Sequence, residues 1–63
     1  MSIGENLKRI RLEREMTQEK LAEAVGVTAP MITQVERGTK TITLLLANDI
    51  AKVLGCRIDD LLA

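Results

Sequence analysis

The side chains in this sequence that can do chemistry are hydrogen-bond donors, acceptors and fixed charges, with no activated nucleophile among them. Histidine is absent and Cys56 is the single cysteine. No nucleophile–base pair, metal-ligating cluster or glycine-rich phosphate loop can be assembled, so bond-breaking chemistry is not expected. What does cluster is a polar set at Thr28, Thr33, Gln34, Arg37, Thr39 and Lys40, with Gln18 ten residues upstream. Such groups recognise a surface by hydrogen bonding and charge neutralisation, and they work only if helices hold them in register.

The segment Met16 to Gly38, MTQEKLAEAVGVTAPMITQVERG, supplies two such helices. Thr17 caps the first, whose apolar residues Leu21, Ala22 and Val25 share one side while Gln18, Glu19, Lys20 and Glu23 take the wet side. Gly26 ends it, because glycine accepts the left-handed conformation needed just past a helix end, and Val27 drops inward. Thr28 is expected to cap the second helix. Pro30 falls in its first turn, where a missing N–H removes no intrahelical bond. Ile32 and Val35 point inward and Gly38 stops the helix. Pro30, Thr33, Gln34 and Arg37 lie on the opposite side.

Two helices this short need flanking helices to cover their apolar stripes. Ser2 and Glu5 form a capping box that opens a helix from about Ile3 to about Glu15, pointing Ile3, Leu7 and Ile10 at the core. Met16 closes that junction. After a polar turn, Thr39 to Ile42, Thr43 caps a helix to about Leu54 with Leu44, Ala47, Ile50, Ala51 and Leu54 on one face. Gly55 terminates it. Asp59 and Asp60 suit the first turn of a short last helix between Arg57 and Leu62, anchored by Ile58, Leu61 and Leu62. The pattern predicts an all-α fold of five helices in one domain, residues 1–63, whose second and third helices form a tight pair.

Composition narrows the partner. Sixty-three residues lie near the size at which one core is marginal, so association is expected to help. Phe, Tyr and Trp are all absent, which removes stacking platforms for single-stranded nucleic acid. Formal net charge is zero, from nine basic and nine acidic residues, so binding to a polyanion would depend on where the charges lie. No secretory segment or membrane-length apolar run is read, and a cytoplasmic location is expected. Cofactors and small-molecule substrates are not expected.

The order of these motifs resembles the Cro and phage-repressor type, or Xre-like, helix-turn-helix family. An Arg in helix one, a T/S-Q-x-x-L-A helix, a G-V-T/S turn and an I-x-x-V/I-E-x-G helix are matched by Arg11, Thr17 to Ala22, Gly26-Val27-Thr28 and Ile32 to Gly38. The trailing L-G-x-x-I-D-x-L is matched by Leu54 to Leu61. The resemblance covers essentially the whole chain. It implies a compact, lambda-repressor-like, five-helix domain that binds double-stranded DNA and regulates transcription, as a repressor, with the helix from Thr28 to Arg37 in the major groove. It also implies that Gln18 touches a phosphate and that Arg11 and Glu36 form a structural ion pair rather than a catalytic one.

The matched recognition helix departs from the family at its leading edge, where Ala29, Pro30 and Met31 replace the usual polar readers. Apolar contact of these residues with thymine methyl groups, and Gln34 on an adenine edge, would favour A·T-rich sites and shape readout. Thr28, Thr33 and Arg37 are the remaining polar candidates. Arg37, Lys40 and Lys20 would meet phosphates, with Thr39, Thr41 and Thr43 offering hydroxyls and backbone N–H groups. The acids are expected elsewhere, and Lys8, Arg9 and Arg14 are read as a solvated face of helix one. Cys56 is read as a small buried hydrophobe. Ile42, Leu45, Leu46 and Leu62 are left over once the core is filled. The resemblance makes this patch a homodimer contact through the C-terminal helices, matching a palindromic or pseudo-palindromic operator. The alternative is a protein-binding helix-turn-helix module, such as an antitoxin or the DNA-binding part of a longer regulator.

Overall fold

The computed structural model describes residues 2–63, which form helices α1 (Ile3–Glu13), α2 (Gln18–Val25), α3 (Ala29–Arg37), α4 (Leu44–Leu54) and α5 (Ile58–Leu62). Local sequence accounts for their starts. The Ser2 hydroxyl accepts the Glu5 N–H at 3.1 Å while the Glu5 carboxylate accepts the Ser2 N–H at 2.9 Å, completing the capping box. Thr17 and Thr43 cap α2 and α4 through the N–H groups of Lys20 and Leu46. Gly26, at φ 76°, ends α2 in the left-handed region and lets Val27 turn back onto the core. Gly38 and Gly55 end α3 and α4 the same way.

Every helix contributes to one core. Leu7 and Ile10 of α1, Leu21 and Ala22 of α2, Ile32 and Val35 of α3 and Leu61 of α5 close around Leu46, Ala47, Ile50, Ala51 and Leu54 of α4. The pair α2 and α3 packs face to face, α1 lies across α3 and α5, and α4 lies under α2 and α5. Cys56 is half-buried, and desolvation, aided by Asp60, pushes its thiol above the ordinary range. That agrees with its reading as a small apolar residue.

Five features differ from the sequence expectation. Helix α1 stops at Glu13, not Glu15: Arg14 is its C-cap and Glu15 turns to φ 57°, allowing the Met16 N–H to reach the Arg11 carbonyl at 3.1 Å. Leu44, assigned to the core face of α4, is 72% exposed, and Leu46 is buried in its place. The inward stripe is 46, 47, 50, 51 and 54, so Leu44 in the first turn has no neighbouring helix over it. Ile42, expected in the surplus patch with Leu46, is half-buried against the core. Arg14, read as part of a solvated face, donates from Nε to the Leu54 carbonyl at 2.8 Å, satisfying a backbone acceptor at the end of α4.

The fifth is Asn6. It is fully enclosed, and its Nδ2 donates to the Leu61 carbonyl at 2.9 Å, tying α1 to α5. Gly4 was equally unmarked in the sequence. A Cβ there would strike the Val35 carbonyl and sit 2.6 Å from the Glu36 carbonyl oxygen. The first turn of α1 therefore presses on the last turn of α3, with no space for any side chain.

Candidate nucleic-acid interface

The close approach at Gly4 sets up the seam that fixes α3. Seven residues along α1, Arg11 is buried and spreads its guanidinium across three acceptors. Nε reaches Glu36 Oε2 at 2.6 Å, Nη2 reaches Glu36 Oε1 at 3.2 Å, and Nη1 reaches the Met16 carbonyl at 2.8 Å. Two charges removed from water need this degree of satisfaction, and the planar fork of arginine supplies it. Among the described residues no buried side-chain nitrogen or oxygen lacks a partner.

Gln18 extends the network to α2. Its Nε2 donates to Glu36 Oε1 at 2.9 Å, and its Oε1 accepts the Thr33 hydroxyl at 2.7 Å. The carboxylate can only accept, which fixes the orientation of the amide: nitrogen toward Glu36, oxygen toward Thr33. Helices α1, α2 and α3 are thereby cross-linked through four side chains. The outer face of α3 becomes a rigid ridge.

The structure divides the expected contact residues into three groups. Pro30, Gln34 and Arg37 stand exposed along α3, with Thr28 exposed at its start and Thr39 and Lys40 exposed beyond its end. Pro30, Gln34 and Arg37 share a shallow depression with Gln18, Ala29 and Thr33. Ala29 and Met31 are half-buried against the core, so the apolar leading edge reduces at the surface mainly to Pro30. Thr33, expected to face outward freely, is half-buried with its hydroxyl proton committed to Gln18, or to the Ala29 carbonyl at 3.2 Å. The side chain of Gln18 is likewise engaged internally, leaving one amide N–H and its backbone N–H at the positive end of α2.

Thr28 occupies the cap position with extended backbone, φ −88° and ψ 154°, yet its hydroxyl makes no capping bond. A capping side chain accepts from the second or third helical N–H. The second residue is Pro30, which has none, and the third, Met31, gives its N–H to the Thr28 carbonyl at 3.1 Å. The expected cap fails for the same proline that suits the helix start, and the Thr28 hydroxyl stays available at the surface.

One acid stands where it was not expected, and Lys8, exposed on α1 as read, gains a neighbourhood that the sequence did not mark. Glu19 borders the depression beside Pro30 and Gln34, although the acids were expected away from this face. Lys8 lines a second depression, of about 230 Å³, with Gln18, Thr33, Glu36 and Arg37. Its position was recoverable: Lys8 lies four residues after Gly4 and three before Arg11, beside the stripe that meets α3.

Residues 7–61 match the family model described as helix-turn-helix. The chain belongs to the helix-turn-helix family, of the Xre and phage-repressor type. An uncharacterized HTH-type transcriptional regulator of Methanothermobacter thermautotrophicus is 49% identical over 45 residues, 71% of this chain and 65% of that protein. The chain thus spans just under two-thirds of that relative's length. Control protein C.BamHI of Bacillus amyloliquefaciens is 38% identical over 60 residues, 94% of this chain and 74% of that protein. The P22 c2 repressor, solved in complex with a synthetic operator, superposes with a TM-score of 0.91 at 29% identity, covering 98% of this chain and 94% of the other. The family match and the P22 c2 superposition both take in α2 and α3 in full, so these two helices are the helix-turn-helix of this chain. No described helix is long and apolar enough to cross a membrane.

Proposed function

We propose that this chain is a sequence-specific regulator of transcription, acting as a repressor, that lays α3 in the major groove of double-stranded DNA. The observation that carries the reading is the Arg11–Glu36–Gln18–Thr33 network, which holds α3 rigidly with Pro30, Gln34 and Arg37 outward. Gln34 is the base reader, suited to an adenine edge, and Pro30 packs on thymine methyl groups. Arg37, Lys40, Thr39 and the open Thr28 hydroxyl meet the backbone, as does the start of α2 at Gln18. Thr33 and Glu36 position rather than read. The reaction is binding alone, with no catalytic step and no cofactor, and its setting is the cytoplasm.

Zero net charge, with Glu19 beside the groove face, makes a single copy a weak non-specific binder. The chain therefore acts as a homodimer on a palindromic or pseudo-palindromic operator. Leu44 and Leu45, exposed at 72% and 74%, form with Asn48 and Ile58 an apolar hollow that suits self-association, with Leu62 also exposed. The protein-binding alternative drew on the apolar start of α3. With Ala29 and Met31 turned partly into the core, that start offers little apolar surface to a protein.

Fluorescence anisotropy with a duplex selected from a random library, across a salt series, tests this reading. Affinity should fall with salt, and Arg37→Ala or Lys40→Ala should each lower the log–log slope by about 1. Salt-independent affinity, or indifference to both substitutions, would overturn it. Sedimentation in the same buffers should show a dimer that Leu45→Ser dissociates.

A further inference from the structure

Among the described residues Lys8 takes part in no core contact, cap or ion pair, yet its place is set by the close approach of α1 to α3 at Gly4. Gly4 and Arg11 hold that stripe of α1 against α3, and Lys8 lies along its solvent-facing flank. There it shares a polar depression with Arg37 of α3, Thr33, Glu36 and Gln18. Both oxygens of the Glu36 carboxylate are already taken by Arg11 and Gln18, so this acid is neutralised in place. Lys8 and Arg37 are then the surplus cations of the hollow, and the second amide N–H of Gln18 and the positive end of α2 add to the same sign. A concave site with two cations on different helices, joined by an amide donor, fits a single phosphate oxyanion.

We propose that Lys8, with Arg37 and the second amide N–H of Gln18, holds one backbone phosphate of the bound duplex. The proposal rests on the DNA-binding reading above and extends the interface from the helix-turn-helix onto α1. Arg37 then has two duties, at the groove and at this phosphate. Lys8 has one, and its removal separates the two.

The test compares the unaltered chain, Lys8→Gln and Lys52→Gln on an A·T-rich duplex of about two helical turns, by anisotropy across a salt series, with melting temperatures measured alongside. Lys52 sits in the last turn of α4, outside this hollow. Lys8→Gln should reduce the salt slope by about 0.9 and weaken binding about eightfold at about 0.1 M salt, whereas Lys52→Gln should match the unaltered chain. Melting temperature should stay constant in both. An unaltered slope in Lys8→Gln, while the parent binds with normal salt dependence, overturns this proposal alone. Absence of salt-dependent binding by the parent overturns the DNA reading and this site with it. Inorganic phosphate, titrated by chemical shift, separates the sources: saturable millimolar binding lost in Lys8→Gln, with duplex affinity unchanged, would assign the hollow to a free anion and overturn the duplex assignment.

Discussion

The seam between α1 and α3 and the outer end of α4 are built on opposite principles. At the seam a glycine brings two helices to backbone contact, and every polar atom of Arg11, Glu36 and Gln18 that enters the interior finds a partner. At the start of α4, Leu44 and Leu45 point into solvent and nothing among the described residues covers them. The seam fixes one geometry and tolerates no addition. The leucine end leaves its geometry to whatever binds there, so substitutions should damage stability at the first and association at the second.

The largest effect is expected at the ion pair. Arg11→Ala leaves Glu36 buried without its counter-charge and should cost about 3 to 5 kcal/mol, seen as a collapse of the urea midpoint. Because Glu36 also orients Gln18, DNA affinity should fall in step with folded population. Next is Gly4→Ala, where one methyl group meets the Val35 and Glu36 carbonyls; overpacking of this kind should cost about 1 to 3 kcal/mol by chemical denaturation. If Gly4→Ala were neutral, the seam would be looser than described. Paired Leu44→Ser and Leu45→Ser should move monomer stability by no more than about 0.5 kcal/mol while weakening dimerisation measured by sedimentation. A large loss of monomer stability would reverse the contrast.

The smallest effect lies at the rim of the seam, on Glu5. Its carboxylate is held below the ordinary value of 4.5 by the Ser2 N–H and hydroxyl, and it is fully exposed. A depressed folded pKa gives stability that is present above the unfolded value and lost as pH falls through the folded one. Parent and Glu5→Gln should thus converge in urea midpoint as pH drops below 4.5, and an NMR titration should place Glu5 under that value. A Glu5 that titrates at or above it would mean the capping box is open in solution.

Much of this was legible in the residues. Ser2, Thr17, Thr43 and the glycines at 26, 38 and 55 each act through a few neighbouring atoms, so their consequences follow from adjacent sequence. The Arg11–Glu36 pair came through family resemblance and stands in the structure. What escaped depends on atoms brought from afar. Asn6 reads as an ordinary helix-surface residue until Leu61 arrives, and Gly4 as a weak helix former until α3 arrives. Leu44 and Leu46 both satisfy an apolar pattern, and only the neighbouring helices decide which is covered. Thr28 was misjudged locally: the residue type was right for a cap, but Pro30 had removed the donor.

The hydrogen bond from Asn6 to Leu61 spans 55 positions of this chain. The buried amide of the first helix has no acceptor until α5 has been made, so α1 cannot reach its final packing before α5 does. Closure of the domain awaits α5. Until then the Asn6 amide lacks its acceptor, and any nick that removes α5 would return the chain to that state.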